Sequence, residues 1–200
     1  MSLKAKRHLN KDPLFKAAMK GIKPIALPRS GNVFNELVKA IVFQQISYKA
    51  ADTIYARFLD LVGEAYTPED LIERSFEEFR GIGFSTQKAN YTHNIARYFE
   101  EKSLLHFDWQ LLSDSDIIDL LTEIKGVGNW TVQMILMFEL QRPDVFPVKD
   151  LAIQQAMMAI YEFQLKKKPL IKKMEEIGQQ WKPYRTLASL YLWGWKRAHF

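Results

Sequence analysis

Cysteine is absent from the 200-residue sequence. Its absence excludes disulfide bonds, a thiolate nucleophile, and any zinc or iron–sulfur centre that depends on cysteine ligands. Long apolar runs are also absent, since none approaches the ~18 residues that a membrane helix requires, and the basic amino terminus lacks the apolar segment of a signal peptide. We therefore expect a soluble intracellular protein with no membrane partner.

Histidine is scarce, and the four histidines, at positions 8, 93, 106 and 199, show no spacing typical of metal ligands. A catalytic metal is therefore not predicted. The rest of the composition is that of an ordinary globular protein, with 48% hydrophobic and 26% charged residues. The net charge of +5 and the pI near 9.2 are compatible with a polyanionic partner, although many unrelated soluble proteins share that balance.

Apolar residues recur with helical periodicity along nearly the whole chain. Between residues 33 and 42 they fall at the spacing of one buried helix face, and capping residues precede most of the later apolar segments. These capping residues are Ser47, Thr67, Ser85, Asp108, Ser113 and Asp150. Asn-Gly and Asp-Gly pairs are missing, as is any sustained alternation of apolar and polar residues. The pattern predicts an all-α protein.

The chain length suits one domain or two small lobes that share a cleft. We expect one helical lobe over residues 33–108. The second lobe would comprise residues 109–200 together with the amino-terminal segment, and it would contain the two features described next.

A glycine-rich turn, Gly126-Val127-Gly128, separates two predicted helices. Both glycines allow positive φ and a close approach of the main chain to a ligand. Asn129 is a suitable cap for the following helix, expected to run to Leu140, and the positive end of its dipole suits a phosphate. The turn lacks the third glycine of a dinucleotide-binding fingerprint and the lysine of a Walker loop. These residues alone therefore do not distinguish a phosphate-binding site from a plain interhelical turn.

The second feature is Asp150, which follows the extended loop Val145–Lys149 and stands at the expected N-cap of a helix. A carboxylate close to a phosphate-binding turn suggests chemistry on a nucleic acid rather than binding alone. A helix cap with no further role is the alternative.

Five segments together resemble the helix-hairpin-helix (HhH-GPD) superfamily of DNA base-excision glycosylases, and in particular its 3-methyladenine DNA glycosylase II branch. Two of them contain the turn (Leu121–Val132) and the loop before Asp150. The other three are Ile41–Ser47, Gly83–Tyr91 and Trp181–Trp193, so the matches extend from about residue 33 to residue 195. The resemblance implies a two-lobed all-α fold with a central cleft for DNA and the target base.

The resemblance further implies a monomeric hydrolase that acts on double-stranded DNA containing alkylated bases. Such an enzyme flips the damaged purine out of the duplex, hydrolyses its N-glycosidic bond and leaves an abasic site. Asp150 corresponds to the family's catalytic aspartate. Trp130 stands where bifunctional members carry the lysine of their lyase chemistry, which implies a monofunctional enzyme. The chain corresponds to a catalytic core, without the extra amino-terminal domain or the iron–sulfur cluster of some members.

Roles for individual residues follow from the same resemblance. The base pocket would be lined by Trp130 and Trp193, with Met134 where some relatives have a tyrosine, so the preferred lesion stays open. Core packing is the alternative for both tryptophans. The residues that would fill the gap left by the flipped base are Gln45 and its neighbours Gln44 and Ile46, for which a polar helix end is the alternative.

The hairpin would hold a DNA phosphate. The residues implied in this contact are Gly126, Val127, Gly128, Asn129, Trp130 and Lys149. Main-chain carbonyls of Thr122, Ile124 and Val127 correspond to those that hold a structural Na⁺ or K⁺ in family members. No cofactor is implied for catalysis.

Three other interpretations stay open at this point. They are a noncatalytic helix-hairpin-helix DNA-binding module, a bifunctional glycosylase/AP lyase, and a helical scaffold with no DNA role. The lysine-rich run at 166–168 and 172–173 is either a solvated helix start or a further phosphate contact.

Overall fold

The computed structural model describes residues 3–26, 29 and 31–200. Over those residues the structure is helical and contains no strand, which confirms the prediction of an all-α protein. Nor is any helix within these ranges long and apolar enough to cross a membrane. The α-helices are α1 (Leu3–Leu9), α2 (Pro13–Ala18), α3 (Val33–Phe43), α4 (Tyr48–Val62), α5 (Pro68–Glu73), α6 (Phe76–Gly81), α7 (Thr86–Glu101), α8 (Asp114–Thr122), α9 (Asn129–Met134), α10 (Leu151–Ile160), α11 (Lys167–Gln179) and α12 (Arg185–His199).

Side-chain caps start most of these helices. The predicted caps are confirmed, because each accepts a hydrogen bond from a backbone amide in the first turn of its helix. Asp108 caps a 3₁₀ turn, Trp109–Leu111, rather than an α-helix. Reciprocal capping boxes form at Thr67, Ser75 and Ser113, where the acid three residues later bonds back to the amide of the cap.

The chain divides into two compact units, a terminal unit (residues 1–28 and 136–200) and a central unit (residues 29–135). This division differs from the boundary expected near residue 108, because the hairpin belongs with α3–α7. Hydrogen bonds account for the difference: Asn94 Nδ2 donates to the Lys125 carbonyl over 3.1 Å, and the Tyr98 hydroxyl donates to the Leu120 carbonyl over 2.9 Å. The amino-terminal segment lies in the same unit as the carboxyl-terminal helices.

A buried carboxylate, Asp12, organises the terminal unit. Its Oδ1 caps α2 by accepting from the amides of Leu14 and Phe15, both over 3.1 Å. Its Oδ2 accepts three further bonds, from the Tyr161 hydroxyl (2.5 Å), Gln180 Nε2 (2.9 Å) and Trp181 Nε1 (3.1 Å). Asp12 therefore ties α2 to the ends of α10 and α11. The pKa of Tyr161 is raised, mainly by burial and also by its hydrogen bond to Asp12.

An aromatic core fills the central unit, where α7 packs against α3, α5 and α6. Phe58 is fully buried and lies in near-parallel contact with Phe79 and Phe84, with ring centroids 6.3 and 5.7 Å away. Tyr66 packs edge-on against Phe58 at 5.1 Å. Each of these rings buries a large apolar area, so the interior of this unit is well packed beneath its surface loops.

The hairpin is seated on α7 through Gly126. Its φ of 110° lies in the region that side chains rarely adopt. A Cβ at this position would stand 2.3 to 2.6 Å from ring atoms of Tyr91 on α7. Gly128 is different, because it has a φ of −98° and open space around the corresponding point.

We predict that Asp12→Asn lowers the free energy of unfolding by about 3 kcal/mol, because an NH₂ group replaces one carboxylate oxygen and cannot accept the hydrogen bonds directed at that oxygen. Asp60→Asn, at an exposed position on α4, provides the matched control and should change stability by no more than about 0.5 kcal/mol. Urea unfolding followed by circular dichroism measures both. Equal stabilities of the two variants would contradict the tethering role of Asp12.

We also predict that Gly126→Ala is destabilising by at least about 2 kcal/mol, since it combines backbone strain with a collision against the Tyr91 ring. Gly128→Ala should cost no more than about 1 kcal/mol, the usual penalty for alanine at an N-cap. Thermal unfolding of both variants makes the comparison. A Gly128→Ala variant less stable than Gly126→Ala would be inconsistent with this seating of the hairpin.

Candidate functional site

Asp150 is the N-cap of α10, as predicted, and its side chain is held from two directions. Its Oδ1 accepts a hydrogen bond from the Ile153 amide over 3.0 Å and another from Trp193 Nε1 over 2.9 Å. The first bond comes from the start of the helix, where the dipole is positive and favours a carboxylate. The second comes from α12, so the carboxylate is fixed by two separate helices.

Trp193 reaches Asp150 because its indole lies between α12 and the segment after α9. The ring is partly buried and stacks on Phe138, with centroids 5.9 Å apart and planes 28° apart. Sequence reasoning assigned Trp193 only to the base pocket and missed its bond to Asp150. The two residues are 43 positions apart, and the one available signal was that a partly buried indole N–H usually finds an acceptor.

The chain leading to Asp150 is fastened to the start of α12. Arg185 makes a bidentate ion pair with Asp144, with Nε–Oδ1 and Nη2–Oδ2 distances both 2.8 Å. Thr186 Oγ1 accepts from the Val145 amide over 2.9 Å and donates to the Arg142 carbonyl over 2.6 Å. Because α12 also carries Trp193, one helix holds both the approach to Asp150 and its carboxylate.

The predicted gap-filling residues form a tight turn after α3. Gln45 is exposed and has a φ of 58°, which is uncommon for a residue with a side chain. Ile46 is 37% exposed beside it. Gln44 Nε2 donates to the Gly126 carbonyl over 3.4 Å, so this turn, Gln44-Gln45-Ile46, lies next to the hairpin. We call it the wedge turn below.

The hairpin differs from its prediction in three details. Gly126 alone has positive φ, whereas Gly128 is extended. Gly128, not Asn129, is the N-cap of α9, because Asn129 already has its place in the first turn. The helix also stops being α-helical at Met134 and continues as a π-helical segment, Ile135–Glu139. Since Gly128 has no side chain, no side-chain cap bond is made at the start of α9, which suits an external anion.

The other predicted residues are placed as follows. Trp130 is 46% exposed on α9, and Met134 is half-buried four residues later. Lys149 is exposed next to Asp150. The lysine-rich run lies exposed at the start of α11, as a solvated helix start would.

The carbonyls predicted to hold an alkali ion belong to the end of α8 and the hairpin. The Ile124 carbonyl accepts from the Val127 amide over 2.9 Å, which closes the turn. Neutral main-chain oxygens such as these and that of Thr122 are ligands that suit Na⁺ or K⁺. Across the described ranges, no group of three or more His, Cys, Asp or Glu side chains could hold a metal ion.

The structure therefore brings the predicted residues together in two groups. Asp150 and Trp193 meet in the terminal unit, which also carries Lys149. The wedge turn and the hairpin meet in the central unit, which also carries Trp130 and Met134.

Comparison with known proteins gives a consistent family assignment. The family model described as HhH-GPD superfamily base excision DNA repair protein matches residues 38–183. The Bacillus subtilis (strain 168) protein YfjP is 37% identical over 177 residues, and the match covers 85% of this chain but only 60% of the relative.

Two solved structures extend the comparison to the fold. A DNA-3-methyladenine glycosidase from Bacillus halodurans is 34% identical, with a TM-score of 0.83 over 96% of this chain and 88% of that one. A Schizosaccharomyces pombe 3-methyladenine DNA glycosylase in complex with abasic DNA is 33% identical, with a TM-score of 0.79 over 95% of each chain. On the extent of the family match and on this shared fold, the chain belongs to the HhH-GPD superfamily of base excision DNA repair proteins.

Proposed function

We propose that this protein is a monofunctional DNA glycosylase that removes alkylated purines of the 3-methyladenine type from double-stranded DNA and leaves an abasic site. The observation that carries this proposal is the Asp150 carboxylate, fixed by the Ile153 amide and the Trp193 indole in a chain of this superfamily. The names of the two similar solved structures, a 3-methyladenine glycosidase and glycosylase, support the substrate class.

The proposed chemistry is hydrolysis of the N-glycosidic bond. The electron pair of this bond leaves with the base, and positive charge develops on the deoxyribose. Asp150 stabilises that charge because its carboxylate is already oriented and needs no reorganisation during the reaction. A water molecule then adds to C1′ and loses a proton, with Asp150 in a position to orient it. An alkylated purine that carries positive charge leaves as a neutral base, so its departure needs little acid assistance.

The target base must leave the duplex before it reaches Asp150. Gln45 is exposed at the tip of the wedge turn and fills the vacated space, with Gln44 and Ile46 beside it. The base pocket uses Trp130, Trp193 and Met134. Aromatic rings favour a cationic alkylated base through stacking and cation–π attraction, which supports the proposed lesion class.

The hairpin holds the DNA backbone in this proposal. Its amides from Gly126 to Trp130 approach one phosphate, except that of Val127, which is used inside the turn by its bond to the Ile124 carbonyl. Lys149 adds a positive charge. The carbonyls of Thr122, Ile124 and Val127 fit a bound Na⁺ or K⁺, which would supply a further positive charge near that phosphate. The ion would be structural, and catalysis requires no cofactor.

The monofunctional assignment rests on Trp130. Lyase chemistry needs an amine that forms a Schiff base with the sugar, and an indole cannot do so. We further propose that the protein acts as a monomer inside the cell, where its DNA substrate is found.

We predict that Asp150→Asn lowers the single-turnover rate of base release by about 100- to 1,000-fold, because asparagine lacks the charge that stabilises the transition state. Asparagine is also a good N-cap, so the variant should fold normally. The assay incubates methylated duplex DNA with the protein and separates free bases by chromatography, which also identifies the lesion.

Asp119→Asn, at an exposed position on α8, is the matched control and should keep full activity. Equal base release by wild type and Asp150→Asn would show that Asp150 is not the catalyst. Absence of release by wild type would favour a noncatalytic DNA-binding module. Covalent trapping of the wild type on DNA with borohydride would overturn the monofunctional assignment.

A second prediction concerns the bond between Trp193 and Asp150. Trp193→Phe keeps an aromatic ring but removes the N–H donor, and it should slow base release by about 10- to 100-fold, the loss expected for one hydrogen bond to a charged group. Trp195→Phe, on the same helix, should have a much smaller effect. The two rates and the two melting temperatures are measured in parallel. An unchanged rate in Trp193→Phe would mean that the indole N–H does not position the carboxylate.

A further inference from the structure

Lys88, on α7, supports the wedge turn. Lys88 Nζ donates to three main-chain carbonyls at the end of α3, those of Ile41 (2.8 Å), Val42 (2.5 Å) and Gln44 (2.8 Å). The last carbonyls of a helix have no partner within the helix. An ammonium group has three donors, so these contacts use all of them.

The surroundings of Lys88 favour this arrangement. The carboxyl end of a helix carries partial negative charge, which attracts the ammonium group. Burial lowers the pKa of Lys88, and the three main-chain carbonyls take the place of the water that its ammonium group has lost.

The turn that Lys88 holds is a strained one. Gln44 is extended, with ψ of 133°, and Gln45 follows with φ of 58°. A side-chain residue with positive φ persists only where the surrounding structure imposes it. The contact from Lys88 to the Gln44 carbonyl is made on the peptide unit immediately before Gln45, so it acts directly on the direction in which Gln45 projects.

The same face of α7 also supports the hairpin. Tyr91, three residues after Lys88, lies under Gly126, and Asn94 donates to the Lys125 carbonyl. Residues three apart are neighbours on a helix surface, so Lys88, Tyr91 and Asn94 form a continuous row along α7. The wedge turn and the hairpin are therefore mounted on a single helix, which keeps their spacing constant.

We propose that Lys88 is a positioning residue for base flipping, which sets the wedge turn so that Gln45 enters the duplex while the hairpin holds the backbone. This inference rests on the proposed glycosylase function. Lys88 does not touch the reacting atoms and acts through Gln45. Its contribution is needed where a base pair must be opened, and not where the lesion has no pairing partner.

The experiment compares two substrates. Lys88→Met removes the donors and keeps the length of the side chain. Its single-turnover rate should fall by about 10- to 100-fold on a lesion in a normal base pair, as misplacement of a positioning group does. On the same lesion placed opposite an abasic-site analogue, the rate should stay within about threefold of wild type. Lys102→Met, at the exposed carboxyl end of α7, is the matched control and should leave both rates unchanged.

Two further variants test whether Lys88 acts through the wedge turn. Adding Lys88→Met to Gln45→Ala should reduce the rate on paired DNA little further, because the two substitutions remove the same function. Lys88→Arg keeps a charged donor and should recover most of the lost activity if Lys88→Met folds poorly. Equal losses of Lys88→Met on both substrates, or full additivity with Gln45→Ala, would overturn the proposal.

A binding measurement separates this inference from the proposed function. The duplex carries the lesion in a normal base pair with 2-aminopurine beside it, and the fluorescence reports unstacking of that neighbouring base. Wild type should raise the fluorescence and Lys88→Met should not, even if wild type releases no base from methylated DNA. Equal fluorescence with both proteins would sink the role of Lys88 independently of any excision activity.

Discussion

The fold depends on hydrogen bonds at the starts of short helices. Several helices, such as α2, α5 and α6, have only six residues each, well below the length at which an isolated helix is stable in water. Caps satisfy the free amides at their starts, and packing supplies the rest. Two of these caps have a second task. Asp12 joins α2 to the far ends of α10 and α11, and Asp150 presents its carboxylate at the site proposed for catalysis.

Much of the fold was predictable because capping is a local signal. Short polar residues before apolar segments located α4, α5, α7, α8 and α10 correctly. Two further signals were present but were not used, Asp12 followed by Pro13 and the Ser75…Glu78 pair. Asn129 was misassigned because glycine and asparagine differ little as caps, so the geometry of the preceding turn decided the position.

The contacts that define the site were beyond sequence reasoning, apart from the identities that the family resemblance supplied. Trp193 contacts Asp150, which is 43 positions away in the sequence. Lys88 contacts the end of α3, which is more than 40 positions away. Such contacts depend on how helices pack, which periodicity does not specify. The π-helical segment after Met134 likewise has no sequence signal of its own. The structure adds the contacts that hold two of the predicted features in place. The Trp193 indole bonds to the Asp150 carboxylate, and the Lys88 ammonium group bonds to the wedge turn.

The position of Asp150 at a helix start has a consequence for how this residue is maintained in evolution. Aspartate, asparagine, serine and threonine serve almost equally well as N-caps, so a change among them leaves the helix intact. Selection for a folded, abundant protein is therefore blind to the loss of the charge at position 150. Only selection on the reaction itself can preserve the aspartate. A lineage that lost the need for the reaction would keep a well-folded protein with an intact hairpin, but an uncharged cap could replace Asp150.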